Sequence, residues 1–173
     1  MIVGIAGKKL HGKSTLADLF VQVGYRQVDF ADPIRAASKF IFGEAPTSSN
    51  KEVVHPTIGF SQRQFMTKFG TDFARLLLHP DFWLRVYQMR TSTGGNIVTA
   101  DVRFENEAEY IRAQGGCIVH VVRVGFKAPP SDTDSHASEK GIAKDPSDYV
   151  LINKGTFADY LEACWQQVER ITT

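Results

Sequence analysis

Cysteine is scarce in this chain. Cys117 and Cys164 are the two in 173 residues, and each lies in apolar surroundings, one in an expected strand and one in an expected helix. Core packing is therefore their expected role, rather than a disulfide framework or a redox pair. The five histidines show no metal-ligand spacing with the cysteines, which argues against a zinc site. Charge of one sign is missing too: the net charge is +1, so neither a strongly basic nucleic-acid surface nor a charged disordered chain is indicated. No apolar run approaches the ~20 residues needed to span a bilayer, and the chain opens on a core strand instead of a charged leader. The expected location is the cytoplasm, with no membrane partner. Internal repeats and low-complexity tracts are also absent. With 43% apolar residues, the chain has the length and composition of one domain with a proper core, spanning 1–173.

The first twenty residues carry the strongest signal. Met1-Ile2-Val3-Gly4-Ile5-Ala6 is a short apolar strand, followed by Gly7-Lys8-Lys9-Leu10-His11-Gly12-Lys13-Ser14 and then by an amphipathic run through Leu16, Ala17, Leu19, Phe20 and Val23. The loop fits G-x-x-x-x-G-K-[ST] in the strand, loop and helix order that a P-loop requires. Its two glycines let the backbone curl into a nest whose N–H groups face phosphate oxygens, and the following helix aims its positive end at the same anion. Lys13 adds a mobile charge for the outer phosphates, and Ser14 offers a hydroxyl to Mg²⁺.

Tyr25 to Phe30 reads as a second strand, followed by Asp32 as a helix cap with Pro33 at the first helical position. Ligands of parallel sheets gather at the carboxyl ends of strands, so Asp29, Asp32 and Arg35 are placed to meet a second substrate. For Asp32, plain capping explains the position equally well, and Arg35 could be a solvated helix residue. Residues 44–59 have loop composition and are expected to be a mobile segment. Ser61 caps a helix whose apolar stripe is Phe65, Phe69, Phe73, Leu76 and Leu77, interrupted by Gly70. Arg63 and Arg75 fall off that stripe, either solvated or lining one cleft. Another short helix starts at Asp81.

Asn96 to Asp101 is a third buried strand ending in a carboxylate, the form of a Walker B segment able to hold Mg²⁺. Arg103 comes next, at the start of a helix that carries acidic residues in its first turn. A cation there is mildly unfavourable unless an anion such as phosphate lies nearby. Cys117 to Val124 is a fourth strand with His120 as a core histidine, and 125–148 is polar and of the length expected for a lid. Tyr149 to Ile152 is a fifth strand, and Thr156 caps a last helix. Strands alternating with helices specify an α/β sandwich with a mainly parallel sheet.

Several of these stretches together resemble the phage deoxynucleoside monophosphate kinases. They are Gly7 to Ser14, Phe30-Ala31-Asp32-Pro33-Ile34-Arg35, Arg63 with Phe69-Gly70-Thr71 and Arg75, Thr99 to Glu107, Ser135-His136-Ala137-Ser138-Glu139, and Ile152 to Thr156. The resemblance implies a three-layer P-loop kinase fold with a five-stranded parallel sheet in the order 2-3-1-4-5 and helices on both faces. It also implies ATP with Mg²⁺ as donor and a deoxynucleoside 5′-monophosphate as acceptor, hence small-molecule partners. By motif, Gly7, Lys8, His11, Gly12, Lys13, Ser14 and Thr15 would hold the ATP phosphates, and Asn153 and Gly155 would lie against the adenine. Ser14 and Asp101 would hold the metal. Asp29, Phe30, Arg35, Arg63, Arg75 and Arg103 would bind the acceptor, and the acceptor-binding region of the domain would be about 31–92. His136, Ser138 and Glu139 would belong to a lid of about 125–140. Lys13, Arg103 and Asp32 are the expected catalytic residues, and a homodimer is left open. Family members are often longer, Leu10-His11 stands where small or polar residues are more usual, and Ala100 precedes Asp101 in place of a hydroxyl residue.

A second reading keeps the P-loop but makes the acceptor a hydroxyl on a modified base, 5-hydroxymethyluracil, in phage DNA. Asp32 or Asp29 would then have to serve as base. A relative of dephospho-coenzyme A kinase and a non-enzymatic nucleotide switch are weaker alternatives, since the former places two acids one apart after the second strand, whereas Asp29 and Asp32 are three apart.

Overall fold

The structure is a computed structural model that describes residues 1–47, 49–126 and 140–173. Among these, five parallel strands form one sheet in the order β2-β3-β1-β4-β5, as the resemblance implied. They are β1 (Ile2–Ala6), β2 (Arg26–Gln27), β3 (Ile97–Val102), β4 (Cys117–Arg123) and β5 (Tyr149–Asn153). The helices are α1 (Lys13–Gln22), α2 (Asp32–Phe42), α3 (Gln62–Thr67), α4 (Phe82–Thr91), α5 (Glu105–Ala113) and α6 (Phe157–Thr172). A π-helical segment, Lys68–Leu78, continues α3.

The two-residue period of a strand sorts the sheet's side chains between two cores. Val3 and Ile5 of β1 pack with Leu16, Ala17 and Phe20 of α1 and with Tyr160, Cys164 and Val168 of α6. Ile2 and Ala6 face the other way, against Tyr87 of α4 and Ala108 and Ile111 of α5. Gly4 shares that second face, where a Cβ would lie 2.6 Å from Ile118 Cδ1 and 2.8 Å from Ile111 Cδ1. Cys117 and Cys164 are free thiols, and His120 is a buried residue whose Nε2 lies 2.8 Å from Asp148 Oδ2. No helix among the described residues is long and apolar enough to cross a membrane.

Three local expectations change. The second strand is shorter than expected: only Arg26–Gln27 is strand, and beyond it the Val28 N–H still donates to the Val98 carbonyl at 3.0 Å before side chains take over the link to β3. Asp32 does not cap α2. Ala31 holds that position, and the Asp32 carboxylate turns back to accept a 3.0 Å bond from the Asp29 N–H. The stripe after Ser61 faces a core only in its first part: the capping box at Ser61 forms and Phe69 packs against Ile34, Ala74 and Trp83, but Leu76 and Leu77 are each 74% exposed, while Gly70, Thr71, Ala74 and Arg75 are buried. An i→i+5 register turns successive residues through a smaller angle than an α-helix, so spacing read on the α-helical period selects the wrong face. The Gly70 carbonyl accepts a 2.7 Å bond from Trp83 Nε1.

Leu16 is fully buried between the sheet and α6. Leu16→Ala should cost about 2–5 kcal/mol through lost burial and a residual cavity. A melting-temperature fall of roughly 5–15 °C is expected by calorimetry, with the fold retained.

Candidate functional site

Beyond the carboxyl ends of β1, β2 and β3 the surface opens into a cleft of about 630 Å³. At one side lies the P-loop, folded as its sequence demands. Gly7 has φ +147° and Gly12 φ +105°, and a Cβ at Gly7 would sit 2.5 Å from the Val121 carbonyl oxygen. Leu10 adopts φ +64°, an uncommon state for a residue with a branched side chain and the local cost of closing this loop. Tyr160 of α6 supports it from below: its hydroxyl donates to the Gly12 carbonyl at 2.8 Å, and its ring fills the space that a side chain at position 12 would need.

Gly12, Lys13, Ser14 and Thr15 line the cleft. Lys13 Nζ donates to the Lys8 carbonyl at 2.8 Å, arching over the loop. The His11 side chain points the opposite way, with Nδ1 3.2 Å from both the Val121 carbonyl and the Arg123 N–H, and its own carbonyl accepts from Asn153 Nδ2 at 2.9 Å. Burial, aided by the charges of Lys13, Lys8 and Arg123, holds the imidazole below its ordinary pKa against the opposing pull of the Val121 carbonyl. A neutral ring accepting from Arg123 fits that setting. His11 and Asn153 thus brace the loop from behind, and Gly155, with φ +78°, makes the turn that leads into α6. Neither Gly7, Lys8 and His11 nor Asn153 and Gly155 are part of the cleft wall.

The cleft floor is a carboxylate clasp between β2 and β3. Asp29 Oδ1 accepts from the Ala100 N–H at 2.7 Å. In return, Asp101 Oδ1 and Oδ2 accept from the Phe30 and Ala31 N–H groups, each at 3.0 Å. Arg35 joins both carboxylates, at 2.6 Å from Asp29 and 3.4 Å from Asp101. Burial, and then the nearby Asp29 charge, push Asp101 up to about 7 despite Arg35. Asp32 lies off the cleft wall, held at 2.8 Å by Arg90 and at 3.4 Å by Arg35. Asp29 and Asp32 are therefore both paired with arginines, Asp32 with its side chain still 35% exposed.

Arg63, Arg75 and Arg103 line the same cleft, each from a different segment. Arg75 is buried, ion-paired with Glu107, donates to the Pro80 carbonyl at 3.0 Å and stacks its guanidinium 3.8 Å above the Phe104 ring. Glu107 also accepts from the Arg103 and Phe104 N–H groups at 2.8 and 3.1 Å, so it both caps α5 and anchors Arg75. Burial raises the Glu107 carboxyl above its usual range, a trend that Arg75 and the two N–H groups oppose. In sequence Glu107 stood as a first-turn acid at the end of the Thr99 to Glu107 stretch, and Tyr160 carried no signal. Lys51, from the loop before α3, also lines the cleft, with no periodic signal to announce it. The expected lid residues His136, Ser138 and Glu139 lie outside the described residues.

A sequence profile of the family described as deoxynucleotide monophosphate kinase matches residues 37–163. A protein of Acanthamoeba polyphaga mimivirus, provisionally named a deoxynucleotide monophosphate kinase, is 29% identical, and the match covers 92% of each chain. The deoxynucleotide monophosphate kinase of Escherichia phage RB69 is 30% identical over 65% of this chain and 45% of its own. The T4 phage protein of the same name is 24% identical over 87% and 58%. The chain thus spans nearly all of the mimivirus protein but about half of the phage relatives. In fold it is similar to the Thermus thermophilus protein TT1252 (TM-score 0.55, 21% identity, covering 100% and 98% of the two chains). A second fold neighbour is the dephospho-CoA kinase of Campylobacter jejuni (TM-score 0.50, 15% identity, covering 98% and 96%).

Removing one partner of a buried ion pair strands the other. Glu107→Gln should destabilise the protein by about 3–5 kcal/mol, and the double variant Glu107→Gln/Arg75→Met should lose less than the two single losses added together. Denaturant titration of the four proteins measures this coupling, and strict additivity would mean that the pair contributes nothing.

Proposed function

The chain belongs to the deoxynucleotide monophosphate kinase family, and on that footing we propose that it transfers the γ-phosphoryl group of ATP to a deoxynucleoside 5′-monophosphate, giving the diphosphate. The observation that carries this reading is one cleft with a P-loop at one side and three arginines at the other. An acceptor phosphate oxygen forms the new bond to the γ-phosphorus while the bond to the β–γ bridging oxygen breaks and ADP leaves. Such a transfer asks the protein for alignment and charge, not for covalent chemistry.

Lys13 and the N-terminus of α1 hold the donor phosphates, while Arg63 and Arg75, from the acceptor-binding region of about 31–92, and Arg103, from the approach to α5, hold the acceptor phosphate. Arg75 is kept in place by Glu107, so its role is pre-positioned binding. Asp29, Phe30 and Arg35 shape the floor beneath the acceptor. Mg²⁺, when bound, supplies charge that offsets the phosphates. Ser14 and Asp101 on the wall, hard oxygen donors of the kind it takes, would hold it. The adenine lies toward the Asn153–Gly155 turn. The reaction belongs in the cytoplasm, and for a phage-encoded chain in that of the infected bacterial host.

A hydroxyl acceptor on DNA would need a carboxylate base. Asp29 and Asp32 are engaged by Arg35 and Arg90, which favours the acceptor that brings its own nucleophilic oxygen.

Lys13→Ala should lower turnover by at least ~10³-fold, as removal of a charge contact made in the transition state does elsewhere. An acceptor screen at fixed ATP should show product with one or more deoxynucleoside monophosphates and none with hydroxymethylated DNA. Label transferred only to DNA would reverse the choice of acceptor.

A further inference from the structure

The segment between α2 and α3 looks like plain loop in sequence, but it is built. Asn50 knots it: its Oδ1 accepts from the Thr47 N–H at 2.7 Å, its Nδ2 donates to the Ala45 carbonyl at 3.1 Å, and its own N–H donates to Thr47 Oγ1 at 3.2 Å. Lys51 follows directly, and its carbonyl accepts the Arg63 N–H at 2.8 Å, tying the loop to the start of α3. The next residue, Glu52, reaches across to the P-loop, where Lys9 Nζ lies 3.0 Å from its carboxylate. Two short connections therefore fix Lys51 between the loop expected to hold the donor and the arginine expected to hold the acceptor. Its side chain is half-buried and lines the shared cleft, as do Lys9, Arg63 and Arg103.

We propose that Lys51 contacts phosphate oxygens in this cleft, as a cation set between the donor and acceptor phosphates that offsets charge during transfer. This rests on the kinase reading above. Four cations from four different segments converge on one half-enclosed space, where their mutual repulsion is a cost that Glu52, paired with Lys9, opposes and that a phosphate among them would lower further. The Lys51 ammonium reflects the cost: burial first, then Arg63, Lys9 and Arg103, lower its pKa against the opposing pull of Glu52. A polyphosphate supplies the compensating charge, and it is the one ligand chemistry that the P-loop side and the arginine side share. A lysine suits the place, because a compact charge on a flexible stem can follow a phosphoryl group as it moves, whereas a guanidinium fork fixes one geometry.

The test compares wild type with Lys51→Met, Lys51→Arg and the charge control Lys39→Met, whose lysine is exposed on α2. Lys51→Met should lower kcat/KM for the deoxynucleotide reaction by about 10²-fold, the lower end for loss of one transition-state charge contact. It should also weaken inorganic tripolyphosphate binding about tenfold by calorimetry. Its melting temperature should stay within about 2 °C of wild type, the shift expected of a surface substitution. Lys39→Met should change none of these. In wild type the basic limb of kcat/KM against pH should fall below the ordinary lysine range, as Lys51 loses its proton, and Lys51→Arg should move that limb upward. If Lys51→Met turns over within threefold of wild type, or binds tripolyphosphate equally well, the inference is wrong while the kinase reading stands. If wild type phosphorylates no deoxynucleotide yet Lys51→Met still weakens tripolyphosphate binding tenfold, the anion contact stands and the kinase reading falls.

Discussion

The site depends on the clasp between the ends of β2 and β3. Asp29 reaches over to the Ala100 N–H of β3, Asp101 reaches back to the N–H groups of Phe30 and Ala31, and Arg35 spans both carboxylates. β2 is only two residues long, so ladder hydrogen bonds alone would hold this edge of the sheet weakly. The clasp replaces them and fixes where α2 departs. Everything on the acceptor side of the cleft inherits that direction.

Charge is the second constraint. The floor is acidic and tied up in its own cation, while the walls carry lysines and arginines from the P-loop, the loop before α3, α3 itself, the π-helical segment and the approach to α5. A carboxylate floor bonded to backbone N–H groups and to Arg35 is a firm support. A ring of cations above it is suited to two anions that would otherwise repel each other. The division of labour follows from this: backbone and carboxylates set shape, and cations meet phosphate. Arg75 belongs to both groups, since Glu107 and the Phe104 face hold its guanidinium ready at the cost of burying a charge.

Much of this was legible in the chain. The P-loop was, because its glycines, lysine and serine are each demanded by backbone geometry or phosphate chemistry at a set spacing. The strands were, β1, β3 and β4 because strands covered on both faces read as apolar runs, while β2 and β5 lie at the sheet's edges and are partly exposed. Arg103 was found through an electrostatic oddity, a cation beside a helix start. The residues that escaped did so for physical reasons. The π-helical register turned Leu76 and Leu77 outward, and a 3.6-residue period cannot anticipate that. Tyr160 and Glu107 act by holding other groups, and support of that kind leaves no spacing. Lys51 sits in a loop whose conformation is set by one asparagine's bonds to backbone. The doubt over Leu10 and His11 also resolves into structure: one takes the left-handed turn, and the other locks the loop to β4 and β5.

The central claim is that donor and acceptor phosphates meet in one crevice. Its most direct test is inhibition by a bisubstrate compound, adenosine joined through five phosphates to a deoxynucleoside that the enzyme accepts. Binding of one molecule per chain, competitive against both ATP and the monophosphate, is predicted. Competition against ATP with no effect on monophosphate binding would place the acceptor elsewhere and contradict the account.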